Sequence, residues 1–225
     1  MEDHAGYVQS GDKQGESMRA VIIANGQFPR KEYPRYLLAS ADILVCCDGA
    51  LVTLEKQGIV PYAVVGDMDS VCHRALKRFN GVVVDDRDQD TNDLTKAFNY
   101  LTENFPDVEE LHILGATGRS EAHTLGNMSL LMEYQQRCPQ IRMDMVSDYS
   151  TILAVTDTET LFVGQGRRVS VFSPDTSLKI CSEGLKWPLD NVVFDNWWKA
   201  TLNLADSDGI TLRLSHKSMA LIVLD

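Results

Sequence analysis

The sequence lacks any long hydrophobic run. Its longest apolar stretches, at 20–24, 43–47 and 220–224, span about five residues, whereas a membrane helix needs about 20. Residues 1–17 are polar and acidic and have no apolar centre, so they fit neither a secretory signal nor a transit peptide. The sequence therefore predicts no membrane segment, a flexible N-terminal arm over residues 1–17, and residence in the cytoplasm.

Cysteine is also scarce, and its spacing forms no motif. The five cysteines are an odd set without a Cys-x-x-Cys pair, which suits a reducing compartment better than a disulfide framework. The five histidines are scattered, with no cysteine at ligand spacing, so structural zinc is equally unsupported. Cys46 and Cys47 lie in an apolar run, and we interpret them as strand packing rather than reactive thiols.

Basic residues are outnumbered. The chain has 21 Lys and Arg against 32 Asp and Glu, a net charge of −11 at pH 7. A duplex phosphate backbone or an anionic membrane would repel such a chain, so neither nucleic acid nor membrane is an expected partner. With 44% hydrophobic residues, the chain has enough apolar material for one large core or two small ones.

Strand-like and helix-like segments alternate in the first part of the chain. We predict strands at 19–24, 42–47, 62–66, 82–84, 111–114 and 142–146, and helices at 33–40, 50–57, 70–79, 93–103 and 124–137. The fourth helix is the clearest, because its apolar residues from Leu94 to Leu101 follow the spacing of one buried stripe. This alternation predicts an α/β domain over residues 18–149, with a mostly parallel, Rossmann-like sheet flanked by helices.

The pattern changes after about Tyr149. Short alternating segments at 151–155, 160–163, 168–172, 178–181, 209–214 and 219–224 are separated by Gly, Pro, Asp and Ser. Because no convincing helix remains, we predict a smaller all-β sandwich domain over residues 150–225.

Carboxylates and glycines follow the predicted parallel strands at their carboxyl ends, where α/β sheets bind ligands. Asp48 follows the second strand, and Asp67 and Asp69 follow the third. Two carboxylates so close repel each other unless a cation or proton intervenes, and Mg²⁺ is the natural counter-charge because it prefers oxygen ligands. The alternative is that Asp67 caps the next helix while Asp69 is solvated.

Two further segments could bind phosphate. Acidic residues such as Asp93 suit the start of a helix, but Lys96 opposes the helix dipole and could instead meet a phosphate beside a bound metal. The loop from Gly115 to Arg119 can present backbone N–H groups to an anion, although it matches neither the Walker pattern nor Gly-x-Gly-x-x-Gly. By spacing alone, Arg119 and His123 could equally be surface residues.

The order of these motifs resembles the thiamin pyrophosphokinase family over residues 18–225. The family's DGA, GDxDS, DQDxTDxxKA and GAxGxRxDHxxxN blocks are similar to segments 48–50, 66–70, 88–97 and 115–127. Segment 184–189 also resembles the family's GLKWxL motif, and 201–203 lies where the family has TSN.

The resemblance implies an enzyme that moves the β,γ-diphosphate of ATP to the hydroxyl of thiamin, giving thiamin diphosphate and AMP. It implies Mg²⁺ as the cofactor, with the metal ligands Asp48, Asp67, Asp69 and Asp93. It also implies a homodimer in which the sandwich domain of one chain holds thiamin against the α/β domain of the other.

The resemblance assigns roles to individual residues as well. The catalytic set is Asp67, Asp69, Asp93 and Lys96, with Asp69 or Asp93 taking the hydroxyl proton. The resemblance implies that the nucleotide is bound by Asp48, Gln89, Gly115, Thr117, Arg119, His123 and Asn127. It implies that thiamin is bound by Trp187, Thr201 and Asn203. Trp187 would stack on the cationic thiamin. Without the family, it would be interpreted as a core tryptophan.

The sequence departs from the family pattern at four positions. Ser120 and Ala122 stand where the family has Arg and Asp, Asn92 replaces a Thr, and Leu202 replaces a Ser. Arg119 would then reach phosphate from one residue earlier. These departures keep two alternatives open: a non-catalytic thiamin or nucleotide sensor, and a metal-dependent phosphohydrolase, which the carboxylates alone would permit.

Overall fold

The computed structural model describes residues 17–225. The predicted N-terminal arm over residues 1–17 therefore lies, except for Ser17, outside the described residues. The chain forms two compact units, one made of residues 17–130 and 140–148 and the other of residues 131–139 and 149–225. Within the described part of the chain, no helix combines the length and the apolar character that a membrane crossing requires.

A six-stranded parallel sheet forms the first unit. Its strands are β1 (Met18–Ile23), β2 (Ile43–Cys47), β3 (Ala63–Gly66), β4 (Val82–Asp85), β5 (Val108–Leu114) and β6 (Arg142–Val146). They pair in the order β6-β5-β1-β2-β3-β4, and every pairing is parallel. The helices are α1 (Glu32–Ala39), α2 (Leu51–Lys56), α3 (His73–Arg78), α4 (Asp93–Asn104) and α5 (Glu121–Arg137). The predicted α/β class is confirmed.

The central strands β1, β2 and β3 are largely buried, which explains why they read as continuous apolar runs, whereas the edge strand β4 is exposed. Val21 and Ile23 of β1 are at most 1% exposed and pack in one cluster with Leu37 of α1 and Leu54 of α2. Cys46 and its neighbour Cys47 are buried free thiols. Burial raises the pKa of both, as expected for packing residues.

Two helix starts differ from the predictions by three residues, because side chains fix them. Helix α3 begins at His73 rather than Ser70, since residues 67–70 form a turn closed by a bond from the Asp69 amide to the Asp67 carboxylate. Helix α5 begins at Glu121 rather than Thr124, since the Ser120 hydroxyl accepts the amide of His123.

Antiparallel strands make up most of the second unit, which also includes the last residues of helix α5. The strands are β7 (Thr151–Val155), β8 (Glu159–Phe162), β9 (Arg168–Phe172), β10 (Ile180–Glu183), β11 (Asn203–Leu204), β12 (Gly209–Leu214) and β13 (Ala220–Leu224). Strands β11, β9, β13 and β7 pair in that order, as do β10, β12 and β8. Leu161, Val171, Ile210 and Ile222 pack in a shared core. The all-β prediction is confirmed, and only the two-residue β11 was missed.

Candidate active site

Three carboxylates converge at the carboxyl ends of β2 and β3. Asp48 follows β2 directly, while Asp67 and Asp69 lie in the turn after β3. One oxygen from each lies within 4.8 Å of the others. The parallel register brings these segments together, because β2 and β3 end side by side. The three residues are called the carboxylate cluster below.

Asp48 is the buried member of the carboxylate cluster, with 1% of its surface exposed. Its Oδ1 accepts the Gly49 amide at 2.5 Å, and its Oδ2 accepts the Ser70 amide at 3.2 Å. A Cβ on Gly66 would lie 2.8 Å from the Asp48 Cγ, so only glycine allows this close approach. Burial and the charge of Asp93 raise the pKa of Asp48, and the two amides oppose that rise.

Asp67 is oriented by two donors. Its Oδ1 accepts the Asp69 amide at 3.1 Å, and its Oδ2 accepts Gln89 Nε2 at 3.4 Å. The bond from the Asp69 amide is the main reason why the pKa of Asp67 is lowered. The capping alternative for Asp67 is wrong, because the residue before α3 is Cys72 and Asp67 closes its own turn instead. Gln89, predicted to orient nucleotide, contacts the carboxylate cluster.

A buried lysine faces these acids from α4. Asn92 caps the helix by accepting the Thr95 amide at 2.9 Å, which leaves Asp93 in the first turn. Lys96 is 4% exposed, and its Nζ lies 3.6 Å from Asp93 Oδ1. Burial raises the pKa of Asp93, and the Lys96 charge opposes this rise. A buried cation is costly unless it is paired, so Lys96 belongs to the acidic site and not to the surface.

The carboxylate cluster suits a hard divalent cation such as Mg²⁺. It offers three carboxylate oxygens at close spacing, and oxygen is the ligand that Mg²⁺ prefers. Asp93, predicted as a fourth ligand, does not join this group among the described residues and pairs with Lys96 instead. These oxygen donors therefore fit Mg²⁺, the metal that the sequence predicts, and Asp48, Asp67 and Asp69 are its candidate ligands.

The glycine-bearing loop at 115–119 is joined to the loop after β1. The Gly26 amide donates to the Gly115 carbonyl at 2.6 Å, and the Gln27 amide donates to the Thr117 carbonyl at 2.8 Å. Gly115 has a φ of 63°, and a Cβ there would lie 2.6 Å from the Ala24 carbonyl oxygen. Gly115 and Thr117 thus shape the loop through their backbone.

Arg119 and Ser120 end this loop in different ways. Arg119 has a φ of 63°, and its Nη1 donates to both the carbonyl and the Oδ1 of Asn25 at 3.0 Å. The Ser120 hydroxyl instead serves as the N-cap of α5, where it accepts the His123 amide at 3.3 Å. The His123 side chain is exposed on the first turn of α5.

Asn127 links two parts of the site. It is 9% exposed, and its Nδ2 donates to the Ala116 carbonyl at 2.8 Å. Its Oδ1 accepts Asn92 Nδ2 at 3.4 Å. Predicted as a nucleotide ligand, Asn127 uses its amide to join the glycine-bearing loop to the start of α4.

The predicted thiamin residues lie together in the second unit. Trp187 is 55% exposed, so its interpretation as a core tryptophan is wrong. Asn203 is buried: its Oδ1 accepts the Trp187 amide at 3.1 Å, and its Nδ2 donates to the Trp187 carbonyl at 2.7 Å. Thr201 Oγ1 donates to the Trp198 carbonyl at 2.7 Å. Asn203 therefore fixes the backbone that presents the Trp187 ring.

Three residues near these segments were not singled out from the sequence. Trp197 and Trp198 are 54% and 68% exposed, in the same segment as Trp187. The signal was available, because all three tryptophans of the chain fall between positions 187 and 198. Asn25 was visible only as a polar residue after a strand, and its bond to Arg119 spans 94 positions.

Two family models match most of the chain. Residues 34–143 match the thiamin pyrophosphokinase catalytic domain, and residues 151–221 match the thiamin pyrophosphokinase substrate-binding domain. Thiamine pyrophosphokinase 1 of Oryza sativa subsp. japonica is 28% identical, with 76% of this chain and 74% of that protein covered. Thiamine pyrophosphokinase of Bacillus subtilis is also 28% identical, with 64% of this chain and 69% of that protein covered.

Solved structures share the fold. The structure of yeast thiamin pyrophosphokinase has a TM-score of 0.78 at 14% identity and covers 94% of this chain and 88% of that one. The structure of thiamine pyrophosphokinase from Bacillus subtilis has a TM-score of 0.74 at 21% identity and covers 92% of this chain and 98% of that one.

Proposed function

Because this chain belongs to the thiamin pyrophosphokinase family and is an enzyme of that class, we propose that it transfers the β,γ-diphosphate of ATP to the hydroxyl of thiamin. The products are thiamin diphosphate and AMP. The observation that carries this proposal is the carboxylate cluster beside the buried Lys96, with oxygens within 4.8 Å of one another. Such a site binds a polyphosphate only as its metal complex, since bare carboxylates repel it.

Mg²⁺ would be held by Asp48, Asp67 and Asp69 of the carboxylate cluster. When bound, it neutralises charge on the phosphates. Lys96 supplies a fixed positive charge beside the acids, and Gln89 keeps Asp67 oriented through the bond at 3.4 Å. These groups are held by contacts within the protein, which reduces the reorganisation needed during transfer.

Asp93 is the preferred proton acceptor for the thiamin hydroxyl. Burial raises its pKa, which makes it a stronger base than an exposed carboxylate. The Lys96 charge, 3.6 Å away, opposes that rise and stabilises the ionised carboxylate. On this basis we favour Asp93 over Asp69.

The acceptor is bound through the second unit. Trp187 offers an exposed ring of the kind that stacks on flat cationic groups, and Lys186 Nζ already lies 5.0 Å from its centroid. Thiamin would take the place of that lysine on the ring. Assembly as a homodimer and residence in the cytoplasm complete the proposal; the five free cysteines favour a reducing compartment.

The test is an assay of AMP formation with Mg²⁺ and ATP, with thiamin supplied or withheld. We expect AMP only when thiamin is present, and none after chelation of the metal. Asp67→Asn should abolish turnover without unfolding the protein, whereas Asp107→Asn, an exposed carboxylate away from the cluster, serves as the matched control. Phosphate release without thiamin would indicate a phosphohydrolase, and thiamin binding without turnover would indicate a sensor.

A further inference from the structure

Asn25 lies between two parts of the site. It follows β1, and both its backbone carbonyl and its Oδ1 accept Arg119 Nη1 at 3.0 Å. On the other side, a Cβ on Gly49 would lie 2.3 Å from Asn25 Nδ2, so the amide rests against the turn that carries Asp48. The Gly49 amide in turn donates to Asp48. The Asn25 side chain thus lies between the arginine of the glycine-bearing loop and the turn that carries Asp48.

These contacts position the guanidinium of Arg119. In the segment 115–120 it is the one basic residue, because position 120 is a serine whose hydroxyl caps α5. Among the described residues, its guanidinium donates only to Asn25, through a single nitrogen. The N–H groups of Nε and Nη2 are therefore available to donate to an anion. They lie in the plane of the guanidinium, in a fork that matches the geometry of a phosphate group.

We propose that Asn25 is a positioning residue that holds Arg119 in place for the phosphates of the bound nucleotide. This rests on the proposed function. A long exposed arginine loses rotamer freedom when it binds an anion, and anchoring one nitrogen beforehand reduces that loss. The loops themselves do not depend on the Asn25 side chain, because the bonds from Gly26 and Gln27 to residues 115 and 117 are made by backbone atoms.

A double-mutant cycle tests this role. The variants are Asn25→Ala, Arg119→Ala and the pair, and Asn104→Ala at the far end of α4 is the matched control. We expect Asn25→Ala to raise the KM for ATP about tenfold while kcat changes less than about threefold. In the Arg119→Ala background the same change should have no further effect. A merely structural loss would lower the melting temperature and add to the Arg119→Ala effect.

Nucleotide binding gives a second measurement that needs no turnover. Calorimetry with a non-hydrolysable ATP analogue and Mg²⁺ should show the same coupling between the two positions. If Asn25→Ala does not fold, Asn25→Ser replaces it, since it also lacks the Oδ1 that accepts Arg119 Nη1 and leaves only the backbone carbonyl as an acceptor. Additive losses, or an unchanged affinity in the Asn25 variant, would overturn the inference. If wild type binds the analogue with this coupling but forms no AMP, the proposed function fails while the positioning role stands.

Discussion

Gly66→Ala should displace Asp48 and weaken the metal site. The added Cβ would lie 2.8 Å from Asp48 Cγ and 2.9 Å from Asp48 Cβ. Carbon atoms in contact are normally about 3.5 to 4.0 Å apart, so Asp48 or the end of β3 must move by about 0.7 to 1.2 Å. Asp48 is 1% exposed, so the displaced side chain has little free space.

The magnitude follows from the packing. Overpacking at a buried position costs about 1 to 3 kcal/mol. A chain of this size loses about 2 to 4 °C of melting temperature per kcal/mol, so the expected decrease is about 2 to 12 °C. The bond from the Ser70 amide, at 3.2 Å the longer of the two that Asp48 accepts, should break first. Misplacing a catalytic group by about 1 Å can reduce turnover by about 100-fold.

Thermal melting with and without Mg²⁺, together with thiamin-dependent AMP formation, measures both effects. Wild type should melt at a higher temperature when Mg²⁺ is added, and the Gly66 variant should show a smaller increase. Gly126→Ala is the matched control, because a Cβ there has no atom within 4 Å and the position is helical. It should be neutral or stabilising by up to about 1 kcal/mol. An unchanged melting temperature, Mg²⁺ response and turnover in Gly66→Ala would refute the proposed packing.

Two further predictions concern buried charge. Lys96→Met should reduce turnover by at least about 100-fold while the fold is retained, because methionine fills similar space but leaves the acids without their cation. Steady-state kinetics and thermal melting measure the two effects, and a near-normal kcat would contradict the prediction. Although burial opposes it, the hydrogen bond from Arg19 and the charge of Arg142 lower the pKa of Glu110 below the ordinary value of a glutamate. Glu110 therefore stabilises the fold above the ordinary glutamate pKa of about 4.3 and loses that contribution as the pH falls through its lowered pKa. Urea unfolding of Glu110→Gln between about pH 6 and 3 should show a flatter profile of stability against pH than wild type, and identical profiles would contradict this.

The bounds of a strand could be predicted from the sequence where its apolar or alternating pattern ends at turn-forming residues. β6, β7, β9 and β12 have the predicted bounds, since each is a short apolar or alternating run that ends at polar or glycine residues. β5 begins at Val108, three residues before the prediction at Leu111, because the acidic Glu109–Glu110 pair interrupts the apolar run. Pairing with β1 keeps Glu110 in the strand, and Arg19 compensates its charge.

The site was partly predictable for a similar reason. Asp48, Asp67 and Asp69 follow neighbouring parallel strands, so the strand order alone places them at one edge. The interpretation of Trp187 as a core residue failed because hydrophobic character does not reveal which large side chains stay exposed. The capping alternative for Asp67 failed because an Asp side chain can close its own turn as readily as cap a helix.

The sequence by itself determined the order of elements, the residue types at the strand ends and the motifs that indicate the family. These features are local, since each depends on a few consecutive residues. The tertiary structure alone decided that Lys96 is buried against the acids, that Gly66 makes room for Asp48, and that Asn25 holds Arg119. Each of these is a close approach between segments far apart in the chain, set by packing and register rather than by local preference.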